Sequence, residues 1–348
     1  MKKAPLVTLV CLVALVASCR HDVDLYGSYR QIPVIYCLLD AKADTNFAKV
    51  TRVFYAQNDA LQVAVNPDSS NYPGRLDVRL TEFCNGVQTR VIVLDTITIG
   101  NKQPGTFYAP KQKLYYTTEP LGRNTAKWRY SYQLSVALPD STIHTHADLV
   151  GSTGFKAQSL AVNFSKEYFG RSRPFYFLPA LNADFYQVEL TFSFKERRTP
   201  DGDSVLRTMQ WHVADYDDYY LSTHMEGEAY VFTYRPEHFY ISLRDFLGDD
   251  TLTDGVVRFI GDYPIHLRIH ACGKNLRHYM YLNNPLTGIS PGDVEFTLID
   301  GGYGVFSSRM TMTQKLRLGG STVPELIENK YWGFRFMGGD WANGSAEP

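Results

Sequence analysis

Alternation of apolar and polar residues with a period of two constrains this chain more than any other feature. Trp128, Tyr130, Tyr132, Leu134, Val136 and Leu138 fall on one side of an extended backbone, while Arg129, Ser131, Gln133 and Ser135 fall on the other. Successive side chains of a strand point to opposite faces, so this spelling buries one face and wets the other. The pattern recurs at Leu76–Val78–Leu80, at Val188–Leu190–Phe192–Phe194 and at Ile265–Leu267–Ile269. Asn85-Gly86 between two such runs reads as a two-residue hairpin turn, and Thr199–Asp203 reads as the turn between the 188–194 run and a strand over 205–213. Aromatic residues make up 14% of the chain, a load that strands accommodate well. The expected fold is all-β.

Helical signals are few. Thr322-Val323-Pro324-Glu325 spells a capping box with proline in the first turn, and predicts a short helix running toward Tyr331. A second stretch, 58–65, has helical character. The glycine-rich segments Gly151–Gly154 and Gly170–Pro174 interrupt the strand pattern. They suggest an immunoglobulin-like β-sandwich over 28–150 and a second β-rich domain over 151–337, followed by a tail over 338–348.

The N-terminus points to export. Lys2 and Lys3 precede an apolar run from Leu6 to Val16, too short to span a bilayer as a helix. Val16-Ala17-Ser18-Cys19 then resembles the lipobox of bacterial lipoproteins. That resemblance implies removal of residues 1–18, acylation of Cys19 and a tether over 19–27. Several acyl chains on one residue hold a protein stably at a membrane. Arg20 stands where aspartate would resemble an inner-membrane retention signal, and Asp22 and Asp24 resemble a surface-export signal. The expected location is the outer membrane, lipid-anchored, with exposure at the cell surface favoured over a periplasmic orientation.

Beyond the leader, Ile32–Asp40 resembles the opening strand of an uncharacterised family of Bacteroidota outer-membrane and surface lipoproteins, and 57–72 is similar to that family's first loop. Tyr132–Val136 followed by Asp140, Thr142 and Thr145 resembles its paired-strand motif, and Gly301–Ser308 its Gly-aromatic-Gly signature. The resemblance implies a lipoprotein often encoded beside a TonB-dependent transporter, with no established catalytic residues.

Charge excludes one large class. The chain carries 35 basic and 36 acidic residues without a basic cluster in the sequence, which argues against a nucleic-acid partner. Cys37, Cys84 and Cys272 remain in the exported chain, an odd number with no zinc spacing; any two of them can form a disulfide.

Several spellings invite chemistry. Gly288–Gly292 fits the G-x-S-x-G elbow of hydrolases, but Pro291 lacks the N–H that would complete an oxyanion hole, so the match is read as accidental. His144, His146 and Asp148 would share one strand face and form a three-ligand metal set; a solvated strand face is the preferred reading. His266 and His270 share a face with Arg268 between them, which repels a divalent cation. Asp249–Gly255 has acidic residues near a turn glycine, but Leu252 stands at a ligand position of a calcium loop. Trp211, Asp215, Asp217, Tyr219 and Tyr220 place acids beside aromatics, a combination that suits contact with a sugar, a cation or a partner protein. Gly301–Gly304 is read as permitting close backbone approach, not as a phosphate loop.

No nucleophile–base set or carboxylate pair stands in a supporting context, so the sequence predicts no enzyme and no cofactor. The expected role is a binding or accessory subunit, held to the membrane by its N-terminal lipid and paired with an outer-membrane protein such as a TonB-dependent transporter. A structural subunit of envelope export or motility machinery is the alternative, with a surface hydrolase behind it.

Overall fold

The computed structural model describes residues 32–54, 59–155, 161–198, 202–216, 228–248, 255–283, 298–328, 333–334 and 336–337. Strands account for 50% and helices for 16%, so the β-rich architecture read from the alternation stands. Cys19, and the stretches 1–18 and 19–27 where a leader and a tether are expected, lie outside the described residues. Among the described residues no helix is long and apolar enough to cross a membrane.

The first half of the chain builds a sandwich. β1 (Pro33–Leu39), β2 (Asn46–Arg52), β3 (Asp77–Cys84), β4 (Val87–Val93), β5 (Asp95–Ile99), β6 (Gln112–Thr117), β7 (Tyr130–Ala137) and β8 (Thr142–Leu149) form its strands, with short helices α1 (Ala60–Ala64) and α2 (Pro67–Ser70) between β2 and β3. One sheet has the order β4-β3-β7-β8 and the facing one contains β1-β2-β6-β5. Ile35, Cys37, Leu39 and Val50 from one sheet meet Val78, Leu80, Tyr132, Leu134 and Val136 from the other in a single core. Asn85 and Gly86 turn the β3–β4 hairpin with φ of 48° and 82°, the left-handed pair that a two-residue turn requires.

The second half forms long strands. β9 (Gly154–Phe155), β10 (Ala161–Val162), β11 (Arg173–Leu178), β12 (Phe185–Arg197), β13 (Val205–Tyr216), β14 (Tyr230–Tyr234), β15 (Val257–Cys272), β16 (Tyr303–Leu318) and β17 (Phe336–Met337) are joined by helices α3 (Pro236–Leu247), α4 (Lys274–Leu282) and α5 (Thr322–Glu328). The β12–β13 hairpin foreseen from its turn forms, with Glu196 opposite Val205. A second core gathers Phe164, Phe177, Tyr186, Phe192, Phe194, Phe239 and Phe336. Phe164 stacks on Phe239 of α3 with ring centroids 4.2 Å apart.

β16 ties the halves together. Over Tyr303–Ser308 it pairs in parallel with β1, and over Arg309–Leu316 it pairs antiparallel with β15. Ile299 and Phe306, within the stretch that sequence assigned to the second domain, are buried in the sandwich core. Gly304 makes the parallel pairing possible: its φ is 109°, and a Cβ there would run into the backbone carbonyl of Ile35. The close backbone approach expected of Gly301–Gly304 is what these glycines provide.

Two helices, α3 and α4, depart from the sparse helical reading. α3 begins with Pro236 in its first turn and buries Phe239, Tyr240, Leu243 and Leu247, the spacing of one helix face. α5 forms where the capping box predicted it, but Thr322 and Glu325 serve a neighbouring segment. Thr322 Oγ1 accepts from the Phe164 N–H at 2.9 Å, and the Glu325 carboxylate accepts from the Lys166 N–H at 2.9 and 3.0 Å and from the Tyr240 hydroxyl at 2.9 Å. At Thr322 the tertiary donor wins because burial of Phe164 leaves its N–H in need of an acceptor.

Two buried ionic groups of the cores, Glu82 and Arg258, are paired. Glu82, 5% exposed, accepts from Arg90 and Thr89 at 2.8 Å, from the Gly122 N–H at 3.3 Å and from the Tyr132 hydroxyl. Arg258, fully buried, donates to Glu196 at 2.9 Å and to the Phe334 carbonyl at 2.7 Å. Cys37, Cys84 and Cys272 are all free. Burial pushes the Cys37 and Cys272 thiols up to about 12, which keeps them protonated and unreactive.

Candidate functional site

The outer face of the β1–β2 pair carries an unusual set of side chains for a solvated sheet surface. Alternation puts Ile35, Cys37, Ala48 and Val50 inward, which leaves Val34, Tyr36, Lys49 and Thr51 outward. Register sets Tyr36 directly across from Lys49, and Val34 across from Thr51. Loops on either side raise walls around this strip and enclose a groove of about 390 Å³. Phe54, Phe107 and Tyr108 join Tyr36 as its aromatic lining, and Arg52, Lys102 and Lys111 join Lys49 as its cations; among the described residues no carboxylate lines it. Phe54 and Phe107 meet edge to face with centroids 6.2 Å apart.

The four cations hold different posts. Arg52 donates to the Ser69 and Asp68 carbonyls at 3.3 and 2.9 Å and lies 5.8 Å from the ring of Tyr72, bracing α2 against β2. Lys102 donates to the Tyr108 carbonyl at 2.6 Å and sits 5.6 Å from the Phe107 ring. Those acceptors are neutral, so neither charge is cancelled. Lys49 is half-buried, and its pKa is lowered by burial first and by the charge of Lys102 second. Lys111 is exposed at the rim. On the far side, Tyr36 meets Tyr279 of α4 edge to face at 6.1 Å. Burial, then the contact with Tyr279, pushes the Tyr36 hydroxyl up to about 12, so it stays a neutral donor.

A second, more polar cleft of about 430 Å³ lies on the seam between the two cores, lined by His146, Asp148, Asn182, Asp184, Lys274 and Asn275 among others. Much of its polar lining is already engaged in joining the halves. Asn275 donates to the His146 and Phe306 carbonyls at 3.2 and 3.0 Å, Asn182 donates to the Tyr130 and Leu149 carbonyls at 3.3 and 3.0 Å, and Asp184 pairs with Arg277 at 3.1 Å. The groove on β1–β2 is therefore the better candidate for a ligand.

The residues singled out in the sequence are dispersed. His144, His146 and Asp148 do share the exposed face of β8. His144 Nδ1 contacts Ser135 Oγ at 2.9 Å and His146 Nε2 contacts the Gln133 amide at 3.2 Å, both across to β7. Among the described residues no group of three or more His, Cys, Asp or Glu is placed to hold a metal ion. Ser135 and His144 form a serine–histidine contact on an exposed strand surface. His270 contacts Thr311 at 2.9 Å and Glu189 at 3.5 Å. The His266 pKa is lowered by burial, then by Lys315 and Arg268, which favours the neutral ring.

Trp211 is half-buried against the second core, 6.0 Å from Phe164, and Asp215 is exposed beside His212 at 3.3 Å. Asp217, Tyr219 and Tyr220 lie outside the described residues, as do Gly288–Gly292 and 249–254. No protein-family model matches the chain, and no curated protein does. The groove's own residues come from β1, β2 and two loops over sequence positions 34–112, so no compact motif announces them. The one available signal was an outward lysine in β2 among apolar neighbours.

Proposed function

We propose that the chain is a lipid-anchored, non-catalytic binding or accessory subunit of the outer membrane, working beside an outer-membrane protein such as a TonB-dependent transporter. The observation that carries this reading is the groove: four cations and four aromatic rings around about 390 Å³, with no carboxylate lining it among the described residues. Such a lining offers charge attraction and contact area to a bound partner or ligand. The Val16–Cys19 lipobox spelling and the resemblance to transporter-associated lipoproteins supply the anchor and the partner. An anchored body meets membrane partners at high effective concentration, so a modest interface is sufficient.

Gentle crosslinking of the tagged chain in intact cells should recover one dominant outer-membrane protein, and Cys19→Ala should release the body and lose that product. Recovery of random neighbours only, together with hydrolytic activity abolished by a single carboxylate substitution, would replace this reading with that of an enzyme.

A further inference from the structure

We infer that the groove on the outer face of β1 and β2 takes a small anionic ligand with a planar body: a carboxylate, phosphate or sulfonate joined to an aromatic or unsaturated framework. The inference rests on reading this groove as the binding site, and adds the chemistry of what enters it.

Three arginines elsewhere in the sandwich are matched by acids. Arg75 pairs with Asp95, Arg79 with Asp77, and Arg90 with both Glu82 and Glu119. Lys49, Arg52, Lys102 and Lys111 form no ion pair among the described residues, and what sets them apart is that all four line one groove. Concentrating like charge in a chain of net charge −1 costs stability locally, and an anion docked between Lys49 and Lys102 removes that repulsion.

The apolar part of the lining sets the rest of the ligand. Tyr36 stands across from Lys49, and the Phe54–Phe107 pair stands on the loop side. A planar framework that leaves its charge at Lys49 therefore lies against rings, where it gains stacking and burial. A groove of about 390 Å³ falls in the range of small-molecule sites, which separates this ligand from an extended polymer.

Three probes separate the components: anilinonaphthalene sulfonate, which carries charge and rings; N-phenylnaphthylamine, which has the same rings without the charge; and inorganic phosphate, which has charge alone. The sulfonate should bind the purified chain saturably, about tenfold more tightly than the neutral dye, with phosphate competing only at high concentration. Lys49→Met should weaken the sulfonate by about tenfold and leave the neutral dye unchanged, while Lys49→Arg keeps most of the affinity. Added salt should weaken the sulfonate selectively. Far-ultraviolet circular dichroism of each variant verifies the fold. If both dyes bind equally, with Phe107→Ala weakening both and Lys49→Met neither, the groove is a binding site but the anionic ligand class is wrong. If Phe107→Ala and Lys49→Met change the binding of no probe, the groove reading itself fails, and this inference with it.

Discussion

At the scale of single residues, Glu82 shows how a buried carboxylate becomes a reporter of acid. Burial alone would raise its pKa, but hydrogen bonds from Arg90, Tyr132, Thr89 and the Gly122 N–H outweigh that and hold it at about 2. The same contact, after burial, pushes the Tyr132 hydroxyl well above the ordinary phenol range. A carboxyl depressed in the folded state stabilises fully above its unfolded pKa near 4.5, and that stability is lost as pH falls toward 2. The shift corresponds to about 3 kcal/mol at neutral pH. Glu82→Gln should therefore lower the unfolding free energy measured in urea at pH 7 by about that amount and flatten its pH dependence below about 4.5; a variant with the wild-type acid profile would show that Glu82 is not the titrating group. Little of this was legible in the sequence: Glu82 sits at an inward position of an alternating strand, a place where a charge calls for partners, but those partners come from β4, β7 and the 117–125 loop.

At the scale of elements, β16 and β1 form a parallel pair whose fit depends on Gly304. Gly304→Ala combines a positive φ with a collision against the Ile35 backbone, and should cost about 3 kcal/mol or more. Gly170, with φ of 76° and no neighbouring atom within contact distance, isolates the conformational part; Gly170→Ala should cost only about 1 kcal/mol. Thermal melts of the two variants that coincide would mean that the close approach in β16 is relaxed at little cost. The strands themselves were readable, because half-buried antiparallel strands write their orientation as alternation: Tyr130, Tyr132, Leu134 and Val136 are all buried. The Asn85-Gly86 hairpin was readable for the same local reason. α3 was missed although its Pro236 start and its 239, 240, 243, 247 spacing carried the signal, since a phenylalanine- and tyrosine-rich helix looks like another strand. The groove was illegible because it is assembled by register between strands and by loops, and register is not a property of any one segment.

At the scale of the whole molecule, the two cores share β16. A strand of 16 residues reaches roughly 50 Å, and this one puts Phe306 in the sandwich core and Met310 and Leu316 in the other. Phe306→Ala should cost about 3–5 kcal/mol and lower both halves together. Variants that keep a single tryptophan, Trp128 beside the sandwich or Trp211 beside the second core, should report one common urea midpoint; a shift seen by Trp128 alone would mean that the halves unfold separately. The pairing of Val34 with Tyr303 also orders events in time. β1 leaves the ribosome well before its parallel partner, which follows about 270 residues later. Until then β1 has one open flank, and the sandwich lacks Ile299 and Phe306. Closing so long a loop is slow, and an unpaired strand flank is a site for wrong pairing. The sandwich must therefore be kept from aggregating until β16 has emerged, so its first strands mature together with a segment made long after them.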